Sequence, residues 1–353
     1  MKTIKIRFVD YWNGYDPESS KVVKILRKHF NVEICEDADY VFTSVFGHFS
    51  YLQYPQVRIM QSGENYLPEM NYVDYGWSSY PLQLGDRYFH YPLSLSFASK
   101  QVHEYLKDRS TGKVRFDPST LTSKTHFACF CASHESEYDI RGSFYKKLCE
   151  YKKVDSIGTY LNNTGVIVSR SDHTKNDYQR SCKFVLCFES TSHAGFNSEK
   201  ITEAFCSEAI PVYYGDPHIT DIYNPKAFIN VADYPSFDAA IEHIIELDRN
   251  DEMYLEMLNQ PILLDPEYPE RLERDFEAWL VHIFQQPLEQ AYRRSRVYSP
   301  EATANVILRG RRIIFSKPMQ TQRRVRAWFR KICHNIYIYI YIYIYIYAKK
   351  RKQ

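Results

Sequence analysis

The chain has no CxxC pair among its eight cysteines and no metal-ligand spacing among its 12 histidines. A disulfide or zinc framework is therefore not the expected scaffold. Cys35, Cys129, Cys131, Cys187 and Cys206 sit in apolar runs and read as buried, reduced thiols. No apolar run is long enough to cross a bilayer as a helix. The start, MKTIKIRFVDYW, alternates like a strand and is not a signal peptide. The expected compartment is the cytoplasm, where the sequon at Asn162-Asn163-Thr164 carries no meaning. Acidic residues are also missing after Glu301, where 13 of the 45 Lys and Arg lie. The preceding part keeps 32 basic residues against all 43 acidic ones, a net charge of −11. An acidic body with a basic tail gives the tail its own partner, an anionic membrane or a nucleic acid.

What is present is a repeating α/β pattern. With 353 residues, two domains are expected. Residues 4–10 (IKIRFVD) read as a strand. Asp16-Pro17 then starts a helix, with Asp as N-cap and Pro at the first position. VEIC, YVFTSVF and VRIMQ (57–61) follow as strands, and residues 72–92 read as loop. A helix is expected near 99–107. The pattern restarts with a strand at 126–133, a helix over 140–151 and a strand at 183–188. A helix over 198–207, a strand at 210–215 and a helix over 237–247 complete it. These are two Rossmann-like units with a boundary near Leu121 to Lys124.

Ligands of such sheets bind beyond the carboxyl ends of strands. The loop Glu189–Asn197 lies there and feeds a helix whose inner face is Ile201, Ala204 and Phe205. That helix opens on Glu199-Lys200. A lysine in a first turn opposes the helix dipole but suits a bound phosphate, and Glu199 suits ribose hydroxyls. From the residues alone, a solvated surface pair competes evenly with an anion site.

CFESTSHAGFNSEKITEAFCSEAIPVYYGDP (187–217) resembles the donor block of family 10 glycosyltransferases, the α1,3/α1,4-fucosyltransferases. VRIMQSGENYLPEMNYVDYGWSSYPLQLGDRYFHYPL (57–93) resembles the GEN region of the bacterial members, and FCASHESEYDIRGSFYKKLCEYKKVDSIGTYLNNTG (130–165) a third block. The blocks are collinear, and the likeness runs from about Thr3 to about Leu280. The resemblance implies a GT-B fold: a Rossmann-like acceptor domain (1–122), a GDP-sugar donor domain (123–300) and a central cleft, with a basic tail (301–353). It implies inverting transfer of L-fucose from GDP-fucose to a glycan containing galactose and N-acetylglucosamine, through an α1,3 or α1,4 linkage. Glu64 maps to the catalytic base, although Ser-Gly-Glu-Asn by residue type alone is a polar turn. Lys200 maps to the phosphates and Glu199 to the ribose. Glu189, Ser190, Phe196, Asn197 and Arg141 complete the expected donor site.

The chain departs from the family pattern at Ser190 (usually Asn), Phe196 (usually Tyr) and SEK for TEK. An arginine before the NN.G turn is replaced by Tyr160 and Leu161, with Arg170 nearby. Lys183 reads as structural. Asp37-Ala38-Asp39 would hold a divalent ion in another transferase fold; here it reads as a turn and helix-cap element. Chemistry without a metal or other cofactor is expected. Trp12, Asn13, Gly14 and His48 are acceptor-side candidates. Another nucleotide sugar, or a non-catalytic membrane-associated binding protein, are the alternatives.

In the tail, Val325, Trp328, Phe329, Ile332, Cys333 and Ile336 share one helical face amid Arg323, Arg324, Arg326, Arg330 and Lys331. This is the profile of a helix lying on an anionic membrane surface, expected at the inner face of the cytoplasmic membrane; a tail with no partner or with nonspecific nucleic-acid affinity is the alternative, and the acidic body argues against a nucleic-acid binder. The Tyr-Ile alternation (336–347) is too short to span a membrane, and suits a translated dinucleotide repeat.

Overall fold

A computed structural model describes residues 1–96, 98–168, 174–294 and 300–314. Two wholly parallel sheets organise it. The first contains β1 (Thr3–Val9), β2 (Asn31–Ile34), β3 (Tyr40–Thr43), β4 (Val57–Gln61), β5 (Tyr75–Ser78) and β6 (Tyr88–His90), in the order β2-β1-β3-β4-β5-β6. The second contains β7 (His126–Phe130), β8 (Val154–Ser156), β9 (Cys182–Phe188), β10 (Ile210–Tyr214) and β11 (Ile229–Asn230), in the order β11-β10-β9-β7-β8. Strand direction of travel reverses between β1 and β3 in one sheet and between β7 and β9 in the other. Those switch points are where doubly wound sheets open a crevice. Central strands are apolar on both faces, as buried parallel strands must be: every residue of β3 and β5 is buried.

Several expectations change. Asp16 does cap a turn, its Oδ1 accepting the Glu18 N–H at 3.0 Å, but the turn is a 3₁₀ turn over Pro17–Ser19. The α-helix starts afresh at Lys21, capped by Ser20, and ends at Leu26. The expected loop at 72–92 holds β5 and β6, and Val154–Ser156 adds the edge strand β8. Cys129 and Cys187 are buried as expected, whereas Cys35, Cys131 and Cys206 are only half-buried. Asp37 and Asp39 lie in the β2–β3 turn and cap no helix.

The chain returns to its first domain at the end. The helix Tyr268–Gln285 lays Phe276 against Trp77 and Tyr91, with ring centroids 5.5 and 4.7 Å apart, and Phe284 against Tyr40 at 4.5 Å. Burying each such aromatic contributes about 1.5–3 kcal/mol. Its Trp279 Nε1 donates to the Asp86 carbonyl at 2.8 Å. Beyond it, the helix Pro300–Ile314 places Ala304 in a cluster with Tyr51, Leu52, Met60 and Val73.

An ion pair with no solvent access fixes this return. Arg294 Nε donates to Asp74 Oδ2 at 2.9 Å, and both side chains are buried. Asp74 Oδ1 also accepts the backbone N–H groups of Arg293 and Arg294, at 2.8 and 2.9 Å. Removing one member of such a pair leaves a buried charge alone. Asp74→Ala is expected to lower stability by about 3–5 kcal/mol, read as an earlier denaturant midpoint.

Candidate functional site

The carboxyl end of β9 meets the helix Glu199–Cys206 through one buried carboxylate. The Glu189 side chain has no solvent exposure. Its Oε1 accepts the Ser198 N–H and the Ser198 hydroxyl, both at 2.7 Å. Its Oε2 accepts from Lys200 Nζ at 2.7 Å. Lys200 is therefore stable in the first turn because Glu189 sits between it and the helix N-terminus. A quarter of its side chain stays exposed. One turn on from Glu199, Glu203 pairs with Lys175. Burial alone would press the Lys175 ammonium down, but Glu203 and then Glu199 outweigh it and its pKa is raised.

Arg141 arrives from the neighbouring strand. It lies in the first turn of the helix Ile140–Tyr151, which follows β7. Tyr138 and Asp139, just before it, both hold left-handed backbone, at φ 54° and 47°. Neither is glycine, so this corner is strained. The guanidinium is buried and donates to the His134 carbonyl, while its Nε has no hydrogen-bond partner. Burial lowers its pKa, opposed first by the charge of Glu189. Arg141 and Lys200 thus open two adjacent helices and share one carboxylate at the β7/β9 switch point. Tyr160 closes the far side, its hydroxyl donating to Asp139 Oδ1 at 2.5 Å, and Leu161 takes φ 54°.

The loop between Glu189 and Ser198 is clamped by Asp216. This carboxylate accepts from the Gly195 N–H at 2.9 Å, Asn197 Nδ2 at 2.7 Å and the His218 N–H at 2.9 Å. Gly195 is required here: it holds φ 85°, and a Cβ would collide with the Ser79 carbonyl. Asn197 is buried, and its Oδ1 accepts the Ser94 N–H at 3.4 Å. Glu189 and Asn197 are both among the residues expected at the donor site. Glu189 and Asn197 spend their polar atoms inside the protein and position the loop rather than face the cleft. Phe196 is likewise buried, its ring 5.4 Å from that of His193. Ser190 is exposed at the loop's start.

Across the cleft, Glu64 is exposed on the turn that follows β4. Its neighbour Asn65 meets the donor-side loop: Asn65 Oδ1 accepts from the Tyr80 hydroxyl at 2.8 Å and contacts His193 Nε2. The carboxyl edges of the two sheets therefore face each other here. Trp12 is half-exposed, edge-on to Tyr15 and Phe46. Asn13, Gly14 and His48 are exposed. Lys183 points away and donates to the Asp248 carbonyl at 2.9 Å, a structural role. Arg170, the amphipathic segment from Arg323 and the Tyr-Ile repeat lie outside the described residues.

Tyr80, His193 and Asp216 were not anticipated. Asp216 carried a faint signal, as the polar residue closing the Tyr-Gly-Asp-Pro turn after β10; the other two carried none. Asp216→Ala leaves three donors unpaired. It is expected to cost about 1–3 kcal/mol, with faster amide exchange at Gly195.

The chain is similar to known proteins over most of its length. The profile of the alpha-(1,3)-fucosyltransferase FucT N-terminal domain matches residues 6–97, and that of the glycosyltransferase family 10 (fucosyltransferase) C-terminal region matches residues 121–260. Alpha-(1,3)-fucosyltransferase FucT of Helicobacter pylori is 30% identical over 289 residues, which are 72% of this chain and 59% of that protein. The chain thus spans less than two thirds of that relative's length. A crystal structure of an alpha1,3-fucosyltransferase is 26% identical and superposes with a TM-score of 0.65 over 79% of this chain and 90% of the other. A crystal structure of an alpha1,3-fucosyltransferase with GDP-fucose, also 26% identical, superposes with a TM-score of 0.60, covering 79% of this chain and 91% of that one. Two facing Rossmann-like domains of this kind are the expected GT-B fold. By its sequence along both domains and by its fold, the chain belongs to glycosyltransferase family 10, the fucosyltransferases.

Proposed function

We propose that this protein transfers L-fucose from GDP-fucose, with inversion, to an N-acetyllactosamine-like bacterial surface glycan, making an α1,3 (or α1,4) linkage. The observation that carries this reading is the pair of helix N-termini at the β7/β9 switch point. Each carries a cation in its first turn, Arg141 after Ile140 or Lys200 after Glu199, and one buried carboxylate lies beside both. A leaving diphosphate supplies the missing negative charge. The family membership and the GDP-fucose complex of a relative support the choice of nucleotide sugar.

In a single displacement, the acceptor oxygen bonds to the anomeric carbon as the bond from that carbon to the phosphate oxygen breaks. The electron pair leaves with GDP. Glu64, exposed on its turn across the cleft, takes the acceptor hydroxyl proton. Lys200 has three N–H donors, so it can meet a phosphate oxygen while keeping Glu189 and Ser198. Glu199 receives the ribose hydroxyls. Lysine, arginine and helix N-termini stand where a metal ion would, so the reaction proceeds in EDTA. A different nucleotide sugar is the second reading. It is favoured by the buried ring of Phe196, which lacks the usual hydroxyl, and by Ser190.

No described helix is long and apolar enough to cross a membrane. We place the enzyme on the cytoplasmic face of the membrane, held by its basic tail and free of nucleic acid. A polybasic segment gains about 1 kcal/mol per Lys or Arg there.

The test is a mass-spectrometric transfer assay in EDTA, with GDP-fucose and lactose, N-acetyllactosamine or its β1,3-linked isomer. A deoxyhexose adduct is expected; failure to bind GDP would withdraw the donor. Glu64→Gln is expected to lower kcat by about 10²–10⁴ while GDP still binds. Lys200→Ala is expected to cost about 10²–10³ in kcat and to weaken GDP binding as well. Removing residues 323–353 is expected to abolish co-sedimentation with anionic vesicles and leave transfer to soluble acceptors intact.

A further inference from the structure

We infer that His193 is a positioning residue for the Glu64 turn: a donor-domain histidine that holds, through Asn65, the segment carrying the proposed base. The inference rests on the fucosyl-transfer reading above. The turn is exposed and has few anchors of its own. The Ser62 hydroxyl and the Tyr66 N–H both donate to the Glu64 carbonyl, at 3.2 and 2.7 Å. Neither bond ties it to another element.

Asn65 supplies that tie. Its Oδ1 accepts from the Tyr80 hydroxyl at 2.8 Å and from His193 Nε2. With Asn65 in this orientation, Nε2 must carry the proton. The imidazole is itself held by two aromatic rings. The Tyr80 ring stacks on it, with centroids 5.1 Å apart and planes 18° apart, and Phe196 packs at 5.4 Å. Tyr80 is fixed in turn, since the Tyr88 hydroxyl donates to its carbonyl at 2.7 Å. His193 sits in the loop whose other members are Glu189, the partner of Lys200, and Gly195, held by Asp216. One short loop therefore sets both the diphosphate side and the base side of the cleft. A base displaced by about 1 Å loses on the order of a hundredfold in rate, so a tie of this kind acts on turnover rather than on nucleotide affinity.

The test combines kinetics with amide exchange. His193→Ala is expected to lower kcat about tenfold, with the GDP dissociation constant unchanged within about twofold. His193→Gln keeps an N–H donor of similar reach and is expected to restore most of kcat. Asn65→Ala, which also releases the Tyr80 hydroxyl, is expected to lower kcat at least as far as His193→Ala, and the double variant to be no slower than Asn65→Ala, because the His193 link is already lost there. Amide exchange needs no substrate. It is expected to quicken at residues 63–66 in His193→Ala and at residues 190–197 in Asn65→Ala. The inference is overturned by an unchanged kcat, by multiplicative losses in the double variant, by Gln behaving like Ala, or by unchanged exchange. If the wild type transfers no fucose, the functional reading fails by itself, and the exchange measurement still decides the His193 tie.

Discussion

The donor side of the molecule is arranged around a carboxylate that water does not reach. A buried charge costs several kcal/mol unless it is paired and hydrogen-bonded. Glu189 meets that demand with two hydrogen bonds from Ser198 and one from Lys200. The neighbours then have little freedom. Ser198 must begin the helix, Lys200 must occupy a turn that its charge would otherwise avoid, and residue 215 must be glycine, since a Cβ would lie 2.6 Å from Glu189 Cγ. The loop between Glu189 and Ser198 is left with fixed ends and a glycine that cannot change. Its middle carries His193, which meets Asn65 and Tyr80 of the first domain.

That contact explains how two separately folded sheets present one site. Glu64 and Lys200 lie in different domains, and neither sheet alone dictates their relation. Three of the hydrogen bonds across the cleft are specific: Asn65 to His193, Ser94 to Asn197, and Thr202 Oγ1 to the Ser94 carbonyl at 2.7 Å. All three reach the segment between Glu189 and Thr202.

Much of this was readable from residue patterns. β1, β4, β7, β9 and β10, and the helices at 140–151 and 199–206, follow apolar runs and caps that tertiary structure does not override. β5 and β6 were not readable. Tyr-Gly-Trp-Ser and Tyr-Phe-His are short and flanked by proline and polar residues, and strands buried on both faces show no alternation. Asp16-Pro17 carried the right capping chemistry but drove a 3₁₀ turn, because Ser20 supplies a second cap. At the site, Lys200 and Glu64 stood out through helix electrostatics and family resemblance. The burial of Glu189 and Asn197 did not, because a sequence gives the type of a polar residue and not the direction of its side chain. Tyr80 and His193 lie 113 positions apart, and nothing local in either segment announces their stacking.

The late return of the chain to its first domain bears on how the protein is made. Residues 126–258 contain every strand of the second sheet and the helices that cover it. That unit can close as soon as it leaves the ribosome. The first sheet was synthesised earlier, but it waits for Phe276, Trp279 and Phe284 to cover its aromatic face and for Arg294 to meet Asp74. The first sheet therefore gains its last cover only after the second domain has been synthesised. Throughout elongation of the second domain, the nascent first domain carries an uncovered apolar face, the kind of surface on which chaperones act.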